Sequence, residues 1–295
     1  MDFGKVLTAM VTPFDQHGNV DLKKTSSLVE YLIDHGTDGL VVAGTTGESP
    51  TLTTEEKLAL FSHVVKAVNG RIPVIAGTGS NNTQQSIELS KRAEQTGVDG
   101  IMLVTPYYNK PNQRGMYEHF KTIAESVLKP VMLYNIPGRS AVRLDVSTII
   151  ELSRVPNIVS VKEATGDLDS MAQIIDQTDE TFSLYSGDDS LTLPIYAIGG
   201  HGVVSVSAHV VGKEMKEMLR LFDEGKNSEA AKLHRKLIPL FKGMFSAPSP
   251  APVKAGLQMK GLDTGGVRLP LVPLTQEERL TIQFLMEHFK QETAK

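Results

Sequence analysis

Apolar positions along this chain follow two alternating rhythms. Short continuous runs recur at residues 6–11, 40–43, 72–76, 101–104, 131–134, 158–161, 182–185 and 203–206. They are rich in Val, Ile and Leu, as strands buried on both faces require. Between them, apolar residues return every three or four positions. Over 53–68, Phe61, Val65 and Val68 share a face, Thr53 and Glu56 make a capping box, and Gly70 supplies the stop. Over 116–128, Met116, Phe120, Ile123 and Val127 form one stripe, ended by Lys129-Pro130. Strand–helix alternation repeated eight times closes most economically into a parallel barrel. The predicted class is therefore α/β, a (β/α)8 TIM barrel, with an open doubly wound sheet as the alternative.

Beyond Val210 the strand rhythm stops. Helices are predicted over 214–224, 228–245, 253–260 and 276–290. A barrel domain over 1–225 would thus carry a C-terminal α-helical appendage over 226–295. Pro248, Pro250 and Pro252 alternate between two of these helices and predict an extended connector, since each ring fixes φ.

Composition narrows the chemistry. With 295 residues, 40% of them hydrophobic, there is material for one large core or a barrel with a small addition. The 30 basic and 34 acidic residues give a net charge of −4 with no basic run, which argues against a nucleic-acid partner. No apolar stretch approaches the roughly 18–20 residues that span a bilayer. The first residues, Met1 to Lys5, lack a signal-peptide core. A soluble, cytoplasmic protein is expected. The absence of cysteine removes disulfides, thiolate nucleophiles and cysteine-ligated metals.

In a barrel of this type the reacting groups sit at the carboxyl ends of the strands. The second run leads into Gly44-Thr45-Thr46-Gly47-Glu48-Ser49, whose hydroxyls and backbone N–H groups could cradle a carboxylate or phosphate, although such turns are often only turns. The sixth run ends in Lys162. A lone strand-end lysine is ordinarily solvated, but one emerging from an apolar barrel would lose water. Its pKa would then fall, freeing the lone pair that attacks a ketone. The fifth run ends in Tyr134 and then Arg139, whose guanidinium can grip a carboxylate through two parallel bonds. The fourth leads to Tyr107-Tyr108, a pair that more often marks an interface than a catalytic acid. His35, His63, His119 and His234 fall in helical patterns, and His17, His201 and His209 lack metal-ligand spacing. Asp188-Asp189 fits a helix N-cap before Ser190 better than a metal site.

Taken in order, several motifs resemble the dihydrodipicolinate synthase family of the N-acetylneuraminate lyase superfamily. These are Gly44-Thr45-Thr46-Gly47-Glu48, Thr105-Pro106-Tyr107-Tyr108, Tyr134-Asn135-Ile136-Pro137-Gly138-Arg139, Val161-Lys162-Glu163-Ala164, Ser186-Gly187-Asp188-Asp189 and Gly200-His201-Gly202-Val203-Val204-Ser205. The likeness covers essentially the whole chain. It implies a class I aldolase-type carbon–oxygen lyase that condenses pyruvate with L-aspartate 4-semialdehyde in L-lysine (diaminopimelate) biosynthesis, with no metal or organic cofactor. It further implies that Lys162 carries the Schiff base, that Tyr134 donates and accepts protons, and that Thr45 and Tyr108 complete a relay. In this family one tyrosine of the relay comes from a neighbouring subunit, so a homo-oligomer is implied, a dimer or a dimer of dimers. Thr46 would hold the pyruvate carboxylate, Gly187 and Val204 would line the pyruvate site by main-chain contacts, and Arg139 would receive the semialdehyde's carboxylate. Ser249 departs from the family's usual Asn, which should cost only a loop adjustment.

Two other readings remain beside this one. A sialic acid lyase or 2-keto-3-deoxy sugar-acid aldolase would share the imine chemistry, but such enzymes generally lack an arginine at the place of Arg139. A metabolite-binding sensor would need the carboxylate nest and no proton relay. Family members inhibited by lysine bind it beside a histidine and a glutamate. Here Ser49, Asn81 and Tyr107 match that motif, whereas Thr54, Lys57 and Gln85 stand at the charged positions. Weak lysine binding is therefore expected.

Overall fold

The computed structural model describes residues 2–293; the outermost residues of the two predicted domains, Met1, Ala294 and Lys295, lie outside them. All eight apolar runs are strands: β1 Val6–Ala9, β2 Gly39–Val42, β3 Val74–Gly77, β4 Gly100–Val104, β5 Val131–Asn135, β6 Ile158–Glu163, β7 Ser183–Ser186 and β8 Gly202–Ser205. They pair in parallel in sequence order, and β8 returns to β1, closing the barrel and excluding the open sheet. The helices are α1 Leu22–Asp34, α2 Thr54–Val68, α3 Thr83–Glu94, α4 Gln113–Glu125, α5 Pro137–Ser140, α6 Val146–Leu152, α7 Leu168–Gln177, α8 Thr192–Ala197, α9 Ala208–Asp223, α10 Asn227–Gly243, α11 Ala251–Met259 and α12 Gln276–Thr293.

Two apolar clusters follow from strands buried on both faces. Leu7, Val41, Ile75, Met102, Met132, Tyr134, Tyr185 and Val204 fill the barrel, with Phe3 packed among them. The alternate strand residues, such as Val6, Leu40 and Leu133, pack outward against the helices. Each fully buried Val, Leu or Ile contributes roughly 1.5–3 kcal/mol, so this double burial is the main support of the fold. The capping box on α2 forms as the sequence predicts. Glu56 N–H donates to Thr53 Oγ1 at 3.2 Å and Thr53 N–H to Glu56 Oε2 at 2.8 Å.

Two details of the tail differ from expectation. α9 begins six residues earlier than predicted: a first turn at Ala208-His209-Val210 is set off from the rest by a kink at Val211 (φ −137°, ψ 32°), and its buried apolar run hides the helical period. The proline connector is not extended. Ala251 N–H closes a turn on the Pro248 carbonyl at 3.2 Å, and Pro252 lies in the first turn of α11, where a missing N–H costs nothing. Among the described residues no helix is long and apolar enough to cross a membrane.

Candidate active site

At the carboxyl end of the barrel, strand register sets Tyr134 of β5 opposite Lys162 of β6. Lys162 is 5% exposed, and its Nζ lies 4.1 Å from the centre of the Tyr134 ring. Burial removes the water that would stabilise an ammonium and pulls Lys162 down to about 7; the Asp189 carboxylate opposes the shift and the Arg139 cation reinforces it. Much of the amine is therefore unprotonated at neutral pH, as a nucleophile requires. The same burial acts in the opposite sense on Tyr134, lifting its phenol to about 12 against the pull of Arg139 and of the Thr45 hydroxyl. One rim thus holds a neutral amine and a neutral acid, the pairing that proton transfer at a carbonyl needs.

Thr45 and Thr46 occupy the turn after β2. Ala43 and Glu48, at its two ends, both have left-handed backbones, with φ of 52° and 56°, unusual for residues with side chains. Thr46 is buried and Thr45 partly so. Arg139 sits on the single turn α5, and with Thr45, Tyr134 and Tyr107 it lines a cavity of about 950 Å³. Gly187 follows β7, where an added Cβ would stand 2.7 Å from the Cβ of Ala164, so the main chain there is bare. Val204 on β8 is buried beside Tyr134 and Tyr185 in the barrel interior.

The structure thus brings Lys162, Tyr134, Thr45 and Arg139 together. It leaves Tyr108 apart: that side chain is 88% exposed on a backbone with φ 74°. Asp188 is the cap expected of the aspartate pair, its Oδ1 accepting from Ser190 N–H at 2.8 Å. Asp189 has a different place. It is buried, Oδ2 accepts from Ser207 N–H at 2.8 Å, Oδ1 has no partner, and its charge acts on Lys162. Nothing in two adjacent aspartates says which one turns inward, and sequence reasoning missed it.

An amine, a phenol and a guanidinium meeting at the carboxyl mouth of a parallel barrel make this an enzyme of the class I aldolase type, a lyase. Comparison with known proteins narrows the class. A family model described as the dihydrodipicolinate synthetase family matches residues 2–289, and the chain belongs to that family. It is 65% identical over 290 residues to 4-hydroxy-tetrahydrodipicolinate synthase 2 of Halalkalibacterium halodurans, covering 98% of this chain and 99% of that one. It is 60% identical to the 4-hydroxy-tetrahydrodipicolinate synthase of Bacillus subtilis, covering 96% and 98%. Among solved structures, a dihydrodipicolinate synthase from Bacillus anthracis superposes with a TM-score of 0.96 at 59% identity, covering 97% and 98%. A lysine-bound relative from Cyanidioschyzon merolae superposes with a TM-score of 0.96 at 44% identity, covering 98% of each chain.

Proposed function

We propose that Lys162 forms the Schiff base with pyruvate in the reaction for which these relatives are named. That reaction condenses pyruvate with L-aspartate 4-semialdehyde to 4-hydroxy-tetrahydrodipicolinate, in L-lysine biosynthesis. The amine attacks the ketone carbon of pyruvate, and the carbinolamine loses water while Tyr134 and Thr45 hand protons on. Loss of a methyl proton then gives the enamine that adds to the aldehyde. Thr46 holds the pyruvate carboxylate, the main chain at Gly187 and Val204 lines the same site, and Arg139 receives the carboxylate of the semialdehyde. The observation that carries this reading is the buried Lys162 amine held against the Tyr134 ring. Borohydride added with pyruvate should leave a reduced three-carbon adduct on Lys162, read by peptide mass spectrometry; an adduct confined to any other peptide would sink the assignment.

Tyr108 completes the relay only if a neighbouring subunit presents it, and its exposure leaves it free to reach across. The assembly is accordingly a homo-oligomer, a dimer or dimer of dimers, working in the cytoplasm. The turn at Gly225, with φ of 74° between α9 and α10, supports a division at 225/226 between a catalytic barrel and a helical domain.

Arg139 favours an acceptor bearing a carboxylate over the polyol of a sugar-acid aldolase. Arg139→Ala should raise KM for the semialdehyde about 10-fold or more while pyruvate trapping at Lys162 survives, because a charged hydrogen-bond pair of this kind contributes roughly 1.5–3 kcal/mol. Equal loss of trapping would contradict the role.

Ser49, Thr54, Lys57, Gln85 and Tyr107 line the same cavity as Thr45 and Arg139. Its charged lining is Lys57, Lys91, Arg92 and Arg139 against Glu88 alone, and burial already presses the Lys57 amine toward its neutral form. An ammonium ligand would meet cations there. L-Lysine at about 1 mM, a concentration equivalent to roughly 4 kcal/mol of binding, should leave activity nearly unchanged. An inhibition titration with a midpoint well below that would show that Glu88 alone suffices.

A further inference from the structure

The turn that carries Thr45 and Thr46 is held from outside the barrel. Its last residue, Glu48, has a side chain 0% exposed, facing a Lys254 side chain 4% exposed. Lys254 lies on α11, 206 residues further along the chain, and donates to Glu48 Oε1 at 3.0 Å. It also donates to the carbonyls of Thr12 at 2.8 Å and Gly266 at 2.6 Å, which uses all three ammonium protons. The second oxygen of Glu48 accepts from Arg268 N–H at 2.8 Å. Thr12 in turn donates through its hydroxyl to the Gly47 carbonyl at 2.6 Å. Three of these bonds therefore land on the turn itself, and the other two fix the groups that make them. The Lys254 ammonium and the Arg268 guanidinium also stand over the Phe14 ring, 4.4 and 4.6 Å from its centre.

A buried ion pair is weak evidence of stability, because apolar residues of the same volume often do as well. An apolar pair cannot fix a direction. The left-handed backbones of Ala43 and Glu48 persist only where their surroundings over-determine them, and the turn between them must aim Thr45 at Tyr134. We propose that Lys254 is a positioning residue for this turn, acting through Glu48 to aim Thr45 and Thr46 at Tyr134 and pyruvate, so that the C-terminal helical segment takes part in substrate capture. This rests on the roles given above to Thr45 and Thr46.

The test uses the full-length enzyme as Lys254→Met, Glu48→Gln, the double variant and Thr46→Val, each assayed well below its Tm. Misaiming a binding group by a fraction of an ångström costs about 10–100-fold, so kcat/KM for pyruvate should fall by that much in Lys254→Met and Glu48→Gln. KM for the semialdehyde, whose clamp Arg139 sits on α5 beyond another strand, should stay within about twofold. The double variant should be no worse than Lys254→Met, since one residue acts through the other. Intact pyruvate capture in Thr46→Val would mean that the roles assigned to the turn are wrong. Intact capture in Lys254→Met beside impaired capture in Thr46→Val would overturn the positioning role alone. Equal losses toward both substrates, or failure of both single variants to fold, would overturn it too, by assigning the pair to the fold.

Discussion

Lys162→Met is expected to lower kcat at pH 8 by at least about 10³-fold, the scale on which losing a nucleophile that works with its proton-transfer partner is felt. The same change should raise stability. Both effects come from one cause, the burial that brings the amine to about 7 from an ordinary value of 10.5. At pH 8 that shift multiplies the unprotonated amine by about 300, a gain the wild-type enzyme should reveal as a rise in pyruvate kcat/KM of about tenfold per unit up to pH 7, level above it. The cost falls on the fold. Between about pH 7 and 10.5 the unfolded chain binds a proton that the folded one does not, so stability climbs with pH through that window. Below it the penalty is fully present, at most roughly 4–5 kcal/mol. Methionine fills similar space without charge, although Asp189 then loses the cation that faces it. A net gain of about 2 kcal/mol would lift Tm by about 4 °C or more at neutral pH. Thermal melts of the two proteins at pH 7 check this, and a lowered Tm would show that desolvation is not what shifts the lysine.

How far the sequence alone reaches can be judged residue by residue. The eight strands are legible because a parallel barrel buries both faces of each, and a continuous run of Val, Ile and Leu too short for a helix fits little else. Boundaries are less so: α9 starts inside an apolar stretch that packs on all sides, where no polar face marks the period. In the tail, alternating prolines read as an extended connector, yet one of them sits inside a helix start. The site divides in the same way. Lys162 and Tyr134 are visible as strand-end residues, since the barrel fixes where strand ends go. Thr46 is visible within the Gly/Thr turn that can cradle a carboxylate, whereas Gly187 and Val204 enter only through family likeness, because backbone contacts have no side-chain signature. Asp189 and the Glu48–Lys254 pair were not legible at all. A buried charge is recognised by its partner, and these partners lie 18 and 206 residues away along the chain, a separation that local patterns do not record.

Tyr134→Phe separates the ring from the hydroxyl and so isolates the proton-transfer role. The ring, 4.1 Å from the Lys162 amine, is retained. Burial, the chief cause of the lysine's shift, is therefore retained as well. The pH midpoint of pyruvate capture should stay near 7, within a few tenths of a unit. What disappears is the acid. Burial holds that phenol protonated to about 12, so at pH 7 to 9 it is a donor in every molecule, and the Thr45 hydroxyl that acts on it gives the proton a direction. Positioned proton transfer is worth about 10²–10⁴-fold, and kcat should fall by at least about 10². Because carbinolamine dehydration needs the same proton, single-turnover trapping by borohydride should slow in parallel, while the final adduct still forms at Lys162. The fold should lose at most about 1 kcal/mol, the usual net worth of a single hydroxyl's hydrogen bond. A variant that traps pyruvate at the native rate would remove Tyr134 from imine formation. One whose pH midpoint moved up by a unit or more would mean instead that the hydroxyl, and not burial, sets the amine.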